Sequence, residues 1–154
     1  MTGGDRVRET TEGRVLVAFT GQAGLWWLRL LRPGFRHCYA LIECEDGWVI
    51  CNPASHWTEI RSIGRPPLVD LLDWLFTGGA VVAVWRRTDV PKRVAPVRPY
   101  SCVEEVKRLL GLRAPGVFTP WQLYRYLTRP PREKFRKPKK ILDRSKITLY
   151  ISRQ

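Results

Sequence analysis

The chain is short of acidic residues, histidine and methionine: 14 Asp and Glu stand against 27 Lys and Arg, with two His and one Met. It also lacks any long apolar run, and each shortage narrows the choice of function. No stretch approaches the ~20 apolar residues of a membrane-spanning helix. The polar opening from Met1 to Gly13 carries no secretory signal. The expected location is therefore a virion or the bacterial cytoplasm, and action on a cell envelope would require delivery by some route other than a cleaved signal. The four cysteines, Cys38, Cys44, Cys51 and Cys102, contain no C-x-x-C pair, which argues against a zinc knuckle. Free thiols in a reducing compartment are the preferred reading, and a metal site built from Cys38, Cys44, Cys51 and His56 is the weaker alternative. No cofactor is implied. With two histidines in all, an enzyme that depends on histidine must use His37 or His56.

What is present suits one globular domain. Hydrophobic residues make up 44% of 154 positions and include seven Trp, enough to bury a core. The net charge of +13 is concentrated at one end. Ten Lys or Arg and two acids lie between Arg129 and Gln154, a net of +8. The chain therefore divides into a domain over residues 14–127 and a basic, Pro- and Lys-rich tail over 128–154. The tail reads equally as an attractor for nucleic acid and as a segment that orders on a partner protein. With only Phe135 and Tyr150 in it, stacking on single-stranded nucleic acid is poorly supported.

Periodicity and turn signals give the element order, with no internal repeat. Arg14 to Thr20 is a buried strand ending at Gly21. Gly24 to Leu31 reads as a short helix stopped by Pro33-Gly34. His37 to Glu43 and Trp48 to Asn52 form a hairpin about Glu45-Asp46-Gly47, and the Asp-Gly pair is the strongest hairpin signal in the chain. Thr58 to Arg61 extends the sheet. Pro67 to Phe76 is a helix closed by Gly78-Gly79, and Ala80 to Arg86 a strand. A proline-rich linker from Thr88 to Pro99 follows. Pro120 to Leu127 is a helix capped by Thr119. Residues 129–146 read as extended, with Ile147 to Ile151 a last edge strand. This order predicts an α+β fold with a mainly antiparallel sheet. Trp26-Trp27 and Trp121 with Tyr124 are expected to pack against the core.

Cys102 stands out by position. In Tyr100-Ser101-Cys102-Val103-Glu104-Glu105 the S-x-x-E pattern is a capping box, which makes Cys102 the first residue of a helix. Unpaired N–H groups and the positive end of the helix dipole favour thiolate there. His37 heads the most strand-like segment of the chain. Taken alone, the cysteine is as readily a structural thiol and the histidine a satisfied core residue. Together they are the minimal nucleophile–base pair of a cysteine hydrolase.

A histidine strand, a following strand and then a cysteine at a helix start resembles a circularly permuted papain-like hydrolase. This is the NlpC-type branch that includes the lecithin–retinol acyltransferase relatives. The resemblance covers residues 14–127 and rests on order rather than on a long motif. It implies Cys102 as nucleophile, His37 as general base, and Asn52, or secondarily His56, as the residue that orients the imidazole. It implies an oxyanion held by backbone N–H groups at the start of the Cys102 helix. Gly111-Leu112 and Phe118 to Leu127 resemble segments of small bacteriophage virion proteins.

The expected function is hydrolysis of an amide, such as a peptidoglycan stem-peptide bond, by a protein carried in a phage particle. The alternative is a non-catalytic phage structural or assembly protein that contacts tail or other virion subunits. A third reading is DNA binding through residues 129–154.

Overall fold

A computed structural model describes residues 13–22, 24–85 and 99–129, together with two-residue strands at 143–144 and 147–148. The fold is organised by strand β1, Arg14–Thr20, whose residues Val15 to Phe19 are buried on both faces. Such a continuous apolar run belongs in the middle of a sheet. Strands β2 (His37–Cys44), β3 (Gly47–Pro53) and β4 (Thr58–Ser62) lie in succession on one side of it, and β5 (Gly79–Trp85) lies on the other. The five-stranded order is β4-β3-β2-β1-β5, with every pairing antiparallel. Helix α1 (Leu68–Gly78) covers one face, and helices α2 (Cys102–Leu109) and α3 (Pro120–Leu127) cover the other. The described residues are thus α+β, with a five-stranded antiparallel sheet and three α-helices.

The period of two along each strand divides the core. Val15, Val17 and Phe19 join Cys38, Ala40, Val82 and Val84 beneath Val103, Val106, Leu110 and Leu123 on the α2 side. Leu16 and Ala18 join Leu41, Trp48, Ile50, Val81 and Ala83 beneath Leu71 and Leu75 of α1. Two charged side chains also fix neighbouring strands: Arg14 Nε and Nη2 donate to the Glu43 carboxylate at 2.9 and 3.0 Å, a bidentate pair between β1 and β2.

The turn between β2 and β3 differs in detail from the sequence reading. Cys44 pairs with Gly47, so the loop is Glu45-Asp46, and Gly47 is already in the strand. Glycine is required at 47 for a different reason. Its φ is +128°, and a Cβ there would overlap the carbonyl of Gly64, which accepts from Trp48 N–H at 2.8 Å.

Two readings of the aromatic segments divide. Trp121 and Tyr124 pack on Phe35, with ring centroids at 4.8 and 4.9 Å, and Arg32 lies 3.7 Å over the Trp121 ring. Trp26 and Trp27 do not pack into the core. They open a 3₁₀ helix, Trp26–Leu30, with no buried residue. The expected Gly24–Leu31 helix is therefore shorter, tighter and solvent-facing, because five residues of 3₁₀ geometry give no continuous face to bury. Most of the linker, residues 86–98, and most of the basic tail lie outside the described residues. In the tail, Ile147–Thr148 pairs with Asp143–Arg144 as a separate two-stranded ladder, not with the edge of the main sheet. Among the described residues no helix is long and apolar enough to cross a membrane.

Lys107 was not marked by the sequence, yet it is 3% exposed on α2. Its ammonium donates to the carbonyls of Ala114 and Val117 at 3.2 and 3.0 Å and meets Glu104 Oε2 at 2.7 Å. These contacts tie the loop between α2 and α3 back onto the cysteine helix. Removing one partner of a buried charged network leaves the others uncompensated. Lys107→Met is expected to lower unfolding stability by about 3–5 kcal/mol, read from denaturant midpoints. A loss below about 1 kcal/mol, the usual size for a solvated pair, would contradict the bracing role.

Candidate active site

Helix α2 begins at Cys102 because Ser101 is extended (φ −149°, ψ 160°) and its Oγ accepts from Glu104 N–H at 3.2 Å. The expected capping box is only half formed. The Glu104 carboxylate turns to Lys107 and Arg108 instead of back to the Ser101 N–H. The complete box is at α3, where Thr119 and Gln122 bond reciprocally and Pro120 fills the first turn.

His37 is the first residue of β2, opposite Thr20 of β1. By alternation its ring belongs to the α1 side with Tyr39, and the two rings lie 24° from parallel with centroids 6.3 Å apart. The strand begins at His37, so the imidazole is free to reach past the sheet end towards the start of α2. Ala40 pairs with Cys51, which puts Asn52 on the same face as His37 in the diagonal position across the two strands. His37 Nε2 meets Asn52 Oδ1 at 2.8 Å.

The orientation of that amide is set by a residue the sequence reading did not single out. Asn52 is directly opposite Glu59 on β4, and its Nδ2 donates to Glu59 Oε2 at 3.2 Å. A carboxylate accepts and does not donate, so Nδ2 must face Glu59 and Oδ1 must face the ring. His37 Nε2 is therefore the donor in its bond to Asn52, and Nδ1 is left for Cys102. Only the register of β3 against β4 identifies Glu59. The available signal was its position on the strand next to a candidate polar residue.

Of the sequence-predicted residues, Cys102, His37 and Asn52 line one cleft of about 610 Å³. His56 does not line it. It sits in the exposed turn between β3 and β4 with Nδ1 3.1 Å from Ser55 Oγ, and the Nε2 partner of His37 is Asn52. The remaining walls include Gln22, Tyr100 and Ser101, the apolar Leu25, Trp27 and Leu28, and Pro53 to Ser55. Tyr100 OH lies 2.6 Å from Thr58 Oγ1 and so anchors the approach to α2 against β4. A smaller space of about 240 Å³ adjoins on the α1 side and shares Gln22, His37 and Asn52. Among the described residues no group of three or more His, Cys, Asp or Glu is placed to hold a metal ion. The four residues of the alternative metal site are dispersed: Cys38 and Cys51 are buried, while Cys44 and His56 are exposed.

The electrostatics separate half-buried Cys102 from the buried thiols Cys38 and Cys51. A hydrogen bond from the Cys38 side chain pulls the Cys102 pKa down most strongly, against the upward effect of burial. Hydrogen bonding and positive charge from His37 and the Cys38 backbone N–H add to the pull, and the value falls to about 4. Burial pushes Cys38 well up, and its contact with the Cys102 thiolate raises it further. Cys51 is also raised, by burial and then by the charge of Glu105. For His37, burial alone would lower the pKa. Hydrogen bonds to Cys102 and Asn52 and the thiolate charge overcome it, and the net direction is up. Each group holds the other in its charged form, as in an activated nucleophile–base pair. The sequence offers Cys38 as a structural thiol or a metal ligand and not as a partner of Cys102, because that contact depends on how α2 docks.

Comparison with protein-family models, curated proteins and solved structures gives no match. The chemistry therefore rests on the geometry of this site alone.

Alkylation by iodoacetamide, followed by peptide mass mapping across pH, reads the thiolate directly. Cys102 is expected to remain reactive down to about pH 4, while Cys38 and Cys51 react only in alkali or after unfolding. His37→Ala should move the Cys102 inflection upward by roughly 1–3 pH units through loss of the adjacent cation. Alkylation of Cys102 only in the ordinary thiol range would contradict the thiolate–imidazolium pair.

Proposed function

We propose that the protein is a cysteine hydrolase of circularly permuted papain-like topology that cleaves an amide, such as a peptidoglycan stem-peptide bond, and is carried by a phage particle. The observation that supports this most is that His37 hydrogen-bonds both Cys102 and Asn52 in one cleft, with its far ring nitrogen held at 2.8 Å from Asn52. A structural thiol has no need of an oriented imidazole. The order of the elements, sheet first and cysteine helix afterwards, supports the permuted topology.

In the proposed reaction the Cys102 thiolate attacks the carbonyl carbon and forms a C–S bond. His37 Nδ1–H gives its proton to the nitrogen as the C–N bond breaks, which releases the amine and leaves an S-acyl enzyme. His37, now neutral, takes a proton from water. The resulting hydroxide attacks the thioester, and the acid leaves as the thiolate is regenerated. Asn52 keeps Nδ1 aimed at the sulfur through both halves, and Glu59 keeps Asn52 from flipping. Asn52, like Glu59, acts through the ring and is a positioning residue.

The carbonyl oxygen needs donors when it becomes an oxyanion. Glu104 N–H is taken by Ser101 Oγ, and Glu105 N–H by the Ser101 carbonyl at 3.0 Å. The N–H groups of Cys102 and Val103 precede the first intrahelical bond, so they are the backbone donors of the helix start that suit this role. Gln22, on the cleft wall, can supply a side-chain amide.

Digestion of purified peptidoglycan by wild type and variants is the test. Cys102→Ala is expected to abolish release of fragments, and His37→Ala to lower kcat/KM on the order of 10²–10⁴-fold. The wild-type rate should be bell-shaped in pH. It rises as Cys102 loses its proton near about pH 4 and falls as His37 loses the proton that the leaving amine needs. The falling limb should lie above the ordinary imidazole value of about 6.5. Equal digestion by wild type and Cys102→Ala would reject the hydrolase reading and favour a non-catalytic assembly protein.

A further inference from the structure

The 3₁₀ helix Trp26–Leu30 forms one wall of the cleft yet spends its apolar side chains on solvent. Trp26 is 78% exposed, Trp27 50% and Leu30 87%. Isolated exposed apolar residues are ordinary, but three within five positions on an element with no buried residue form a patch that calls for a partner. Across the cleft, Tyr100 is 49% exposed and bonded to Thr58, next to Trp57 at 54%. The segment that carries the helix has charge of one sign. From Gly21 to Ile42 there is no Asp or Glu, while Arg29, Arg32 and Arg36 are all present.

We infer that this rim docks the cleft mouth onto an anionic lipid surface, with Trp26, Trp27 and Leu30 entering the headgroup region and Arg29 lying against lipid phosphates. Indole rings favour headgroup depth, where the ring is apolar and its N–H stays wet. Arg beside exposed Trp and Leu is the composition of interfacial segments. Charge complementarity selects an anionic membrane over a zwitterionic one, because the segment that carries the patch holds arginine and no acid, on a chain of net charge +13. The inference requires only the surface of the helix, so it stands whether or not Cys102 is a nucleophile.

Sedimentation of the full chain with vesicles of phosphatidylglycerol and phosphatidylcholine tests it. The basic tail alone could give binding, but only of a kind that salt removes. At about 1 M salt the Debye length is ~3 Å and attraction between exposed charges is largely screened. Wild type is expected to bind anionic vesicles in low salt and to keep a bound fraction in high salt. The variant Trp26→Ser/Trp27→Ser/Leu30→Ser should lose that salt-resistant fraction, with partitioning on the order of tenfold weaker. Leu30→Glu, at a side chain that is 87% exposed, should act in the same direction, so misfolding of the triple variant cannot imitate the result. Cys102→Ala should bind like wild type, which separates this test from the test of hydrolysis. Equal high-salt partitioning of wild type and both variants would overturn the inference. So would absence of wild-type binding, or loss of self-association in the variants with vesicle binding unchanged. The last two outcomes would assign the patch to a protein partner or to a second copy of the chain.

Discussion

The bond between His37 Nε2 and Asn52 Oδ1 is the constraint on which the chemistry of the cleft depends. An imidazole at the end of a strand can rotate about two bonds, and either nitrogen could face a neighbour. Here the choice is made by a chain of acceptors and donors that starts at a carboxylate. Glu59 accepts from Asn52 Nδ2, Asn52 Oδ1 accepts from Nε2–H, and Nδ1 is left facing Cys102. The antiparallel registers β2·β3 and β3·β4 carry this chain across three strands. The sheet therefore sets a tautomer as well as a position.

Helix α2 completes the arrangement from the opposite face. Ser101 starts it, Val103 and Val106 bury it in the core on that face of the sheet, and Lys107 holds its far half to the loop before α3. That anchoring brings Cys102 to Cys38 and His37 together. The thiolate then has two donors and a cation around it, and burial, which on its own would raise the pKa, is outweighed. Burial also strengthens each of these interactions, since they act in a low local dielectric. In the neighbouring Cys38 and Cys51 no cation offsets burial: their thiols are pushed up, further by the Cys102 thiolate in one and by Glu105 in the other.

Much of this was legible in the sequence, and the parts that were not have physical reasons. The strands and their order could be read because β1 to β3 alternate or run apolar between clear turn signals. Cys102 could be placed at a helix start because Ser101 precedes it, although Glu104 proved to be a partner of Lys107 and not the second half of a box. The sequence alone could not decide between Asn52 and His56. That choice depends on register, and a two-residue turn puts Asn52, not His56, on the face of His37. Glu59 and Cys38 required contacts between elements distant in sequence. Lys107 looks like any solvated lysine until the following loop folds back over it. Trp26 and Trp27 resembled a core-facing helix because apolar content was read as burial, while the 3₁₀ geometry leaves them exposed.

The proposed hydrolase depends most directly on His37 being held in its cationic form by the Cys102 thiolate. Titration of the imidazole by ¹H–¹⁵N NMR reads that state, and only two histidines have to be distinguished. The account predicts a His37 midpoint above the ordinary value of about 6.5 in wild type and a fall when Cys102→Ser removes the thiolate. An identical midpoint in both proteins, or a wild-type midpoint below the ordinary value as burial alone would give, would contradict it.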